Sequence, residues 1–237
     1  MDIRKYNKDN NISYTIGAFP TFELLTHQPR KVRLILLHEK CEQSEDIKKI
    51  IALSKKLNIT VNTNSKLVEK ISDKGNVYVI GVFEKYEMQL DNKQNQICLV
   101  EPSDMGNLGT IMRVMLGFGY HNLAIIKPCT DIFNPKVIRA SMGALFSMNI
   151  CLFDSYEEYA KINTNHKYPF MLQTSNTLQS LVKKEQPHTL IFGNEAHGLN
   201  DSFLSIGTPI RIEHSSDIDS LNLSMSVGIA LYEFTKK

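Results

Sequence analysis

No two of the four cysteines, Cys41, Cys98, Cys129 and Cys151, stand in a Cys-x-x-Cys pair. The seven histidines form no His-Glu-x-x-His signature, and none is coupled to a cysteine at zinc-ligand spacing. Reduced, buried thiols are therefore expected, and no metal site. The apolar runs break off well short of the ~18 residues that a membrane span requires. The opening MDIRKYNKDNN lacks the apolar core of a secretory signal, so a cytoplasmic location and no membrane partner are expected. The phosphate-cradling dinucleotide fingerprint is missing too, because "GFG" (117–119) ends a predicted helix instead of opening one. With 42% hydrophobic and 22% charged residues, the chain has neither the polarity nor the charge of a disordered segment. Its 237 residues suit one large domain or two modest ones.

The net charge of +2 hides an asymmetry. Residues 1–95 hold 16 basic and 12 acidic side chains, net +4, and residues 96–237 hold 11 and 13, net −2. A mildly basic front half is compatible with a nucleic-acid contact, but most lysine-rich faces are ordinary solvated helix surfaces.

The front half reads as a small α/β unit. "VRLILL" (32–37) and "VYVIGVF" (77–83) have strand composition, and "ITV" (59–61) reads as a short strand. Between them "SEDIKKIIALSKKLN" (44–58) predicts a helix with Ser44 as N-cap and an apolar stripe of Ile47, Ile50, Ile51 and Leu57. The polar, aperiodic stretch 86–96 predicts a linker. Beyond it, strands are expected at 97–100, 123–126, 149–153, 170–173, 189–192 and 209–212. Helices are expected near 107–118, 134–142, 155–162, 177–184, 200–206 and 220–234. Such alternation implies a mostly parallel, six-stranded sheet covered on both faces, with ligands at the carboxyl ends of its strands.

Three segments at those ends are unusually polar or glycine-rich. In "EPSDMGNLGTIMRVMLGFG" (101–119), Asn107 is the expected N-cap of a helix whose N-terminus suits an anion. Arg113 lies off the stripe of Leu108, Ile111, Met115 and Phe118 and is free to face a cleft. On composition alone, a capped helix with one solvated arginine is the commoner reading of that segment. In "TLIFGNEAHGLND" (189–201), Gly193 and Gly198 flank Asn194 and Glu195, so backbone is free to approach a ligand closely. In "SLNLSMSVGIALYEF" (220–234), Asp219 or Ser220 is the expected cap. One stripe of that helix is Leu221, Met225, Gly228 and Tyr232, and another is Val227, Ala230, Leu231 and Phe234. A helix apolar on most faces is buried, in part by another subunit if one sheet face cannot cover it.

Taken jointly and in this order, the three segments resemble the SpoU/TrmH family of RNA ribose methyltransferases, within the SPOUT superfamily. That family's first motif is Asn-x-Gly with an arginine six residues after the asparagine, matched by Asn107, Gly109 and Arg113. Its Gly-x-Glu-x-x-Gly is matched by Gly193, Glu195 and Gly198, and its Ser-Leu-Asn helix start by Ser220, Leu221 and Asn222, then Ser224. "KVIRASMGALF" (136–146) is similar to the family's Arg-Ala-Ser-x-Gly-Ala stretch. Two departures are two extra residues between Pro102 and Asn107, and Ile212-Glu213-His214 where the family has Ile-Pro-Met. "YTIGAFPTFELL" (14–25) is similar to the ribosomal-protein-like RNA-binding domain that many members carry.

The resemblance implies an RNA substrate-binding domain over 1–90 and a methyltransferase domain over 97–237, the latter an α/β trefoil knot that forms a homodimer. It implies S-adenosylmethionine as cofactor and RNA as partner, ribosomal RNA ahead of tRNA because of the front domain. A non-catalytic RNA-binding module of the same fold is the rival reading. By motif position the catalytic group is Arg113, with Asn107, Glu195, Ser220 and Asn222. The cofactor contacts implied are Thr174, Gly193, Asn194, Glu195, Gly198, Ile212, Leu221 and Ser224.

Overall fold

The computed structural model describes residues 3–42, 44–72, 75–182 and 184–236. The chain forms two compact units, one of Met1–Tyr86 with Asp131–Ser147, the other of Glu87–Thr130 with Met148–Lys237.

The first unit opens with β1 (Ile12–Ile16) and α1 (Ala18–His27), followed by β2 (Val32–Leu37) and α2 (Glu45–Lys56). β3 (Val61–Thr63), α3 (Ser65–Ile71) and β4 (Val79–Glu84) complete its sheet, ordered β1-β4-β2-β3. β4 runs antiparallel to β1 and β2, whereas β3 is parallel to β2. Helix α2 starts after Ser44 as expected, but Ile47 and Ile50 alone of its isoleucines are fully buried. β1, α1 and α3 have no counterpart among the expected elements. Residues 131–147 pack in this unit: Phe83 lies 6.1 Å from Phe133 and 5.3 Å from Phe146, ring to ring.

The second unit holds β5 (Gln96–Val100), α4 (Met105–Gly117) and β6 (Asn122–Ile126). After α5 (Pro135–Ala140), which belongs to the first unit, come β7 (Asn149–Phe153), α6 (Tyr156–Ile162), β8 (His166–Pro169), β9 (His188–Phe192) and α7 (Leu223–Thr235). The sheet order is β7-β6-β5-β9-β8, and every pair is parallel. The fold is thus α/β with a parallel sheet, as the alternation implies. Ile97, Leu99, Leu123, Ile125 and Leu190 are fully buried, as are Cys98, Ala124 and Ile191 on the opposite face. Burial on both faces is why these strands read as continuous apolar runs. Each such aliphatic side chain contributes roughly 1.5–3 kcal/mol.

The sheet has five strands where six are expected. Residues 209–212 make only isolated bridges, Ile210 with Phe170 and Arg211 with Thr177. The run 170–173 follows β8 instead of forming it, because the Met171 N–H bonds to the Ile210 carbonyl and draws the chain off the sheet. The helix expected at 177–184 is a single 3-10 turn at Leu178–Ser180, and the chain entering it is bridged to Arg211, whose N–H donates to the Asn176 carbonyl and whose carbonyl accepts the Leu178 N–H. The 200–206 helix is likewise a 3-10 turn, Asp201–Ser205. All four cysteines are free, but only Cys98 is buried and the others are half-buried. Burial pushes the Cys41, Cys98 and Cys151 thiols up, away from the reactive thiolate. Among the described residues no helix is long and apolar enough to cross a membrane, and no cluster of three or more metal-ligating side chains occurs.

Candidate active site

Three loops meet at the carboxyl ends of β5 and β9. The first runs from Glu101 into α4, and its cap is Asp104, whose carboxylate accepts the Asn107 N–H at 2.6 Å. Asn107 is therefore the third residue of the helix and not its cap, which frees its side chain. That side chain joins the other two loops. Its Nδ2 donates to Glu195 Oε1 (3.4 Å), and its Oδ1 accepts from Asn222 Nδ2 (3.1 Å). Asn222, not Asp219 or Ser220, caps α7, accepting the Ser224 and Met225 N–H groups and the Ser224 hydroxyl at 2.7 Å.

Glu195 fills the anion position expected at the start of α4. Its Oε2 accepts the Ser103 N–H (3.1 Å) and hydroxyl (3.0 Å), and its Oε1 accepts the Asp104 N–H (3.2 Å). Partial burial pushes this carboxyl up, but the N–H groups of Glu195 itself, Ser103 and Asp104 and the Ser103 hydroxyl outweigh it, so its pKa lies below the ordinary value. The helix end is thus occupied by the protein's own carboxylate.

The loop that carries Glu195 is tight. A Cβ on Gly193 would lie 2.1 Å from the Gly198 carbonyl carbon, so no side chain fits there. Gly198 sits at φ +69 and returns its N–H to the Asn194 carbonyl at 2.9 Å. The Asn194 amide donates to the Glu101 carbonyl (2.7 Å), tying the second loop to the first.

Between the second and third loops lies a cleft of about 310 Å³, lined by Phe192, Gly193, Glu195, Ile212, Ser220 and Leu221 among others. Phe192 stacks on Phe170 with ring centroids 4.3 Å apart. Asn194 and Gly198 also line it. Thr174 and Ser224 do not: the Thr174 hydroxyl donates to the Pro209 carbonyl (3.3 Å), and Ser224 is bound up in the α7 cap. Ser220 is exposed at the rim. The Ile212 carbonyl is held by His214 Nδ1 at 2.9 Å. Arg113 is exposed and, among the described residues, makes no hydrogen bond or ion pair; Glu195 does not reach it. It shares the open side of α4 with Gly106, Thr110 and Gly117, while Leu108, Ile111, Met112 and Met115 are buried.

Sequence reasoning missed Ser103, Asp104 and Gln179. A Ser-Asp pair before a helix is a cap signal, so the first two were within reach. Gln179 holds Glu213 by both backbone groups, Nε2 to the carbonyl (3.1 Å) and Oε1 from the N–H (3.3 Å), and a contact across 34 residues leaves no local signal.

Residues 94–232 match the model of the SpoU rRNA Methylase family. The chain belongs to this family. Among SpoU relatives, a 23S rRNA (adenosine(1067)-2'-O)-methyltransferase of Streptomyces azureus is 30% identical over 133 residues, covering 54% of this chain and 49% of the relative. An uncharacterized tRNA/rRNA methyltransferase of Synechocystis is 24% identical, covering 71% of this chain and 63% of its own. The chain thus spans about half to two thirds of the length of these relatives. The structure of the SpoU methyltransferase AviRb from Streptomyces viridochromogenes with the cofactor AdoMet matches with TM-score 0.80 at 21% identity, over 95% of this chain and 90% of that one.

Proposed function

We propose that this SpoU-family chain transfers a methyl group from S-adenosylmethionine to a ribose 2′-hydroxyl of RNA, with ribosomal RNA as the substrate class. The observation that carries this reading is the Asn107 side chain, which joins Glu195 to Asn222 beside the cleft while Arg113, on the same helix, is exposed and has no partner among the described residues. Binding of S-adenosylmethionine by calorimetry separates this reading from that of a non-catalytic RNA-binding module, which has no need of the donor.

The cleft suits the donor. Phe192, Ile212 and Leu221 give apolar walls for an adenine, Glu195 and Ser220 add polar groups, and about 310 Å³ lies at the small end of ligand pockets. Bound there, S-adenosylmethionine supplies a methyl group already activated by a sulfonium. The chain's task is then positioning. Gly193, Asn194, Glu195, Gly198, Ile212 and Leu221 hold the donor, and Thr174 and Ser224 fix the loops behind them. A guanidinium offers donors and no acceptor, so Arg113 acts as a clamp on the 2′-hydroxyl or a neighbouring phosphate, not as the base. The hydroxyl proton leaves to an RNA phosphate or water. The knotted threading of the C-terminal segment and the cytoplasmic location belong to the same proposal, as does RNA affinity in the front unit.

A homodimer is also proposed. Of the two α7 stripes, Val227, Ala230, Leu231 and Phe234 are buried, whereas Met225 and Tyr232 are each 61% exposed and Ile229 between them 38%. A second copy covers such a stripe by two-fold symmetry. Sedimentation is expected to show a dimer, and Met225→Glu with Tyr232→Glu a monomer; a wild-type monomer at micromolar concentration removes the proposal.

The functional test is methyl-labelled S-adenosylmethionine with ribosomal RNA from a strain lacking the gene. Label resistant to alkaline cleavage supports ribose methylation. Label in tRNA alone corrects the substrate class, and label on bases or in no RNA overturns the reading.

A further inference from the structure

We infer that Arg211 is the anion anchor of the cleft at Gly193, and that the group it takes is the carboxylate of the methyl donor. The inference rests on the donor reading above and adds a specificity-determining residue that lies outside the motif positions.

Arg211 stands between two core side chains. Ile210 is fully buried and Ile212 is buried, whereas Arg211 is half-buried. Its backbone is fixed along one edge: the N–H donates to the Asn176 carbonyl (2.9 Å), and the carbonyl accepts the Leu178 N–H (2.8 Å). The residue is thereby held at the wall of the cleft, which it lines together with Ile212 and Leu221. Its Nε is buried and has no hydrogen-bond partner. Among the described residues its terminal nitrogens have no hydrogen bond or ion pair either.

Other polar side chains on the same wall are taken up in holding the loops. The Asn194 amide donates to the Glu101 carbonyl (2.7 Å), and its oxygen accepts the Ala196 N–H (2.8 Å). Glu195 accepts the Ser103 and Asp104 N–H groups, and His214 Nδ1 is bonded to the Ile212 carbonyl (2.9 Å). Among the described residues Arg211 is the only arginine or lysine that lines the cleft. Buried N–H groups are almost always paired, and leaving one unpaired costs free energy. An orphaned guanidinium N–H on the wall of a ligand cleft therefore marks a missing acceptor.

Charge and size give the class of that acceptor. A guanidinium takes planar oxyanions through two parallel N–H bonds, and Nε with one terminal nitrogen forms such a fork. A cleft of about 310 Å³ holds a small molecule and not a length of polynucleotide. S-adenosylmethionine carries a single anionic group, the carboxylate of its methionine tail. Its ammonium and sulfonium are cations, and they suit the carboxylates of Glu195 and Asp219 on the same cleft. Arg211 accordingly reads the tail, while the apolar walls take the adenosine.

The experiment is calorimetry on the full chain with S-adenosylmethionine and with its decarboxylated form, which keeps the adenosine, sulfonium and ammonium. Wild type is expected to bind the complete donor roughly tenfold or more tighter, the value of a charge-assisted contact. Arg211→Met keeps an apolar stem and removes the fork. It is expected to weaken the complete donor by that same factor and to leave the decarboxylated form unchanged, so that the preference disappears. Arg211→Lys is expected to restore only part of it, because an ammonium lacks the planar fork. Circular-dichroism melts check that both variants fold; if Arg211→Met does not, a loss in Arg211→Lys confined to the complete donor carries the test. Equal affinity of wild type for the two ligands, equal weakening of both in the variants, or weakening of neither overturns the anchor. Weaker RNA binding with donor affinity intact assigns Arg211 to a phosphate and overturns it too. Each of these results leaves the methyl-transfer reading standing. Wild type that binds neither ligand sinks that reading and the anchor with it.

Discussion

The two ends of the parallel sheet use the same kinds of side chain for different purposes. At the amino ends, Gln96, Thr189 and His188 are fully buried and bonded inward. The Tyr159 hydroxyl donates to Gln96 Oε1 (2.8 Å), and Thr189 Oγ1 donates to Asn163 Oδ1 (3.3 Å). His188 Nδ1 donates to the Glu185 carbonyl (2.9 Å), which leaves Nε2 to accept the Tyr120 hydroxyl at 2.5 Å. At the carboxyl ends, Glu195, Asn107 and Asn222 are also joined, but beside an open cleft. Polar groups locked into the interior specify one structure; polar groups tied together at the surface hold loops in place for a ligand.

The sharpest way to separate the ends is Arg113→Ala. It lies off the buried stripe of α4, so its loss opens no core cavity. Methyl transfer is expected to fall roughly a hundred- to thousandfold, a loss of ~3–4 kcal/mol of transition-state stabilisation, with donor affinity and melting unchanged. Arg113→Lys is expected to rescue poorly, because an ammonium lacks the planar fork. Single-turnover methylation beside donor calorimetry decides it; joint loss of donor binding and fold would move Arg113 to the structural end.

The opposite end answers to pH. Burial drives the His188 pKa from 6.5 down to about 4. Below pH 6.5 the unfolded chain binds a proton that the folded chain refuses. Stability from this group is therefore present above pH 6.5 and lost as pH falls toward 4, by up to about 3 kcal/mol. Denaturant melts at pH 7 and pH 4.5 measure the loss. His188→Phe is expected to start less stable, with the Tyr120 hydroxyl deprived of the His188 acceptor, and to show a smaller drop between the two pH values.

The smallest effect sharpens the comparison most. Asn222→Ala removes the α7 cap and is expected to cost about 1 kcal/mol in thermal melts. Asn222→Asp keeps an oxygen for the Ser224 and Met225 N–H groups but turns an acceptor toward Asn107 Oδ1. Stability near that of wild type with depressed transfer is expected. Equal loss of both would show that the surface network is structural only.

The three central strands of the parallel sheet are legible because both their faces are buried: 97–100, 123–126 and 189–192 each differ from β5, β6 and β9 by a single residue at the start, whereas the edge strand β8 is not among the expected strands. The motif residues were legible as well, Gly193 because no side chain fits there. The role of Asn107 was not. The Asp104 cap makes Asn107 a third helical residue, but that its side chain joins Glu195 and Asn222, 88 and 115 positions away, leaves no local signal. The 177–184 run is a 3-10 turn bridged at its start to Arg211, a partner 33 residues from Leu178 that leaves no local signal. The excursion of 131–147 into the first unit was equally hidden, since its Val137, Ile138 and Phe146 suit either core.

That excursion sets an order in time. Phe83 is made early in synthesis, but its ring partners Phe133 and Phe146 are made only after β5, α4 and β6. At ordinary elongation rates the interval between residues 86 and 147 is roughly 3–12 s. Until it ends the nascent first unit lacks the side chains that pack on Phe83, while residues 87–130 of the second unit are made within it. Neither unit is a bead threaded after the other on the emerging chain; the first is begun first, and it is closed only by a segment made after the second has started.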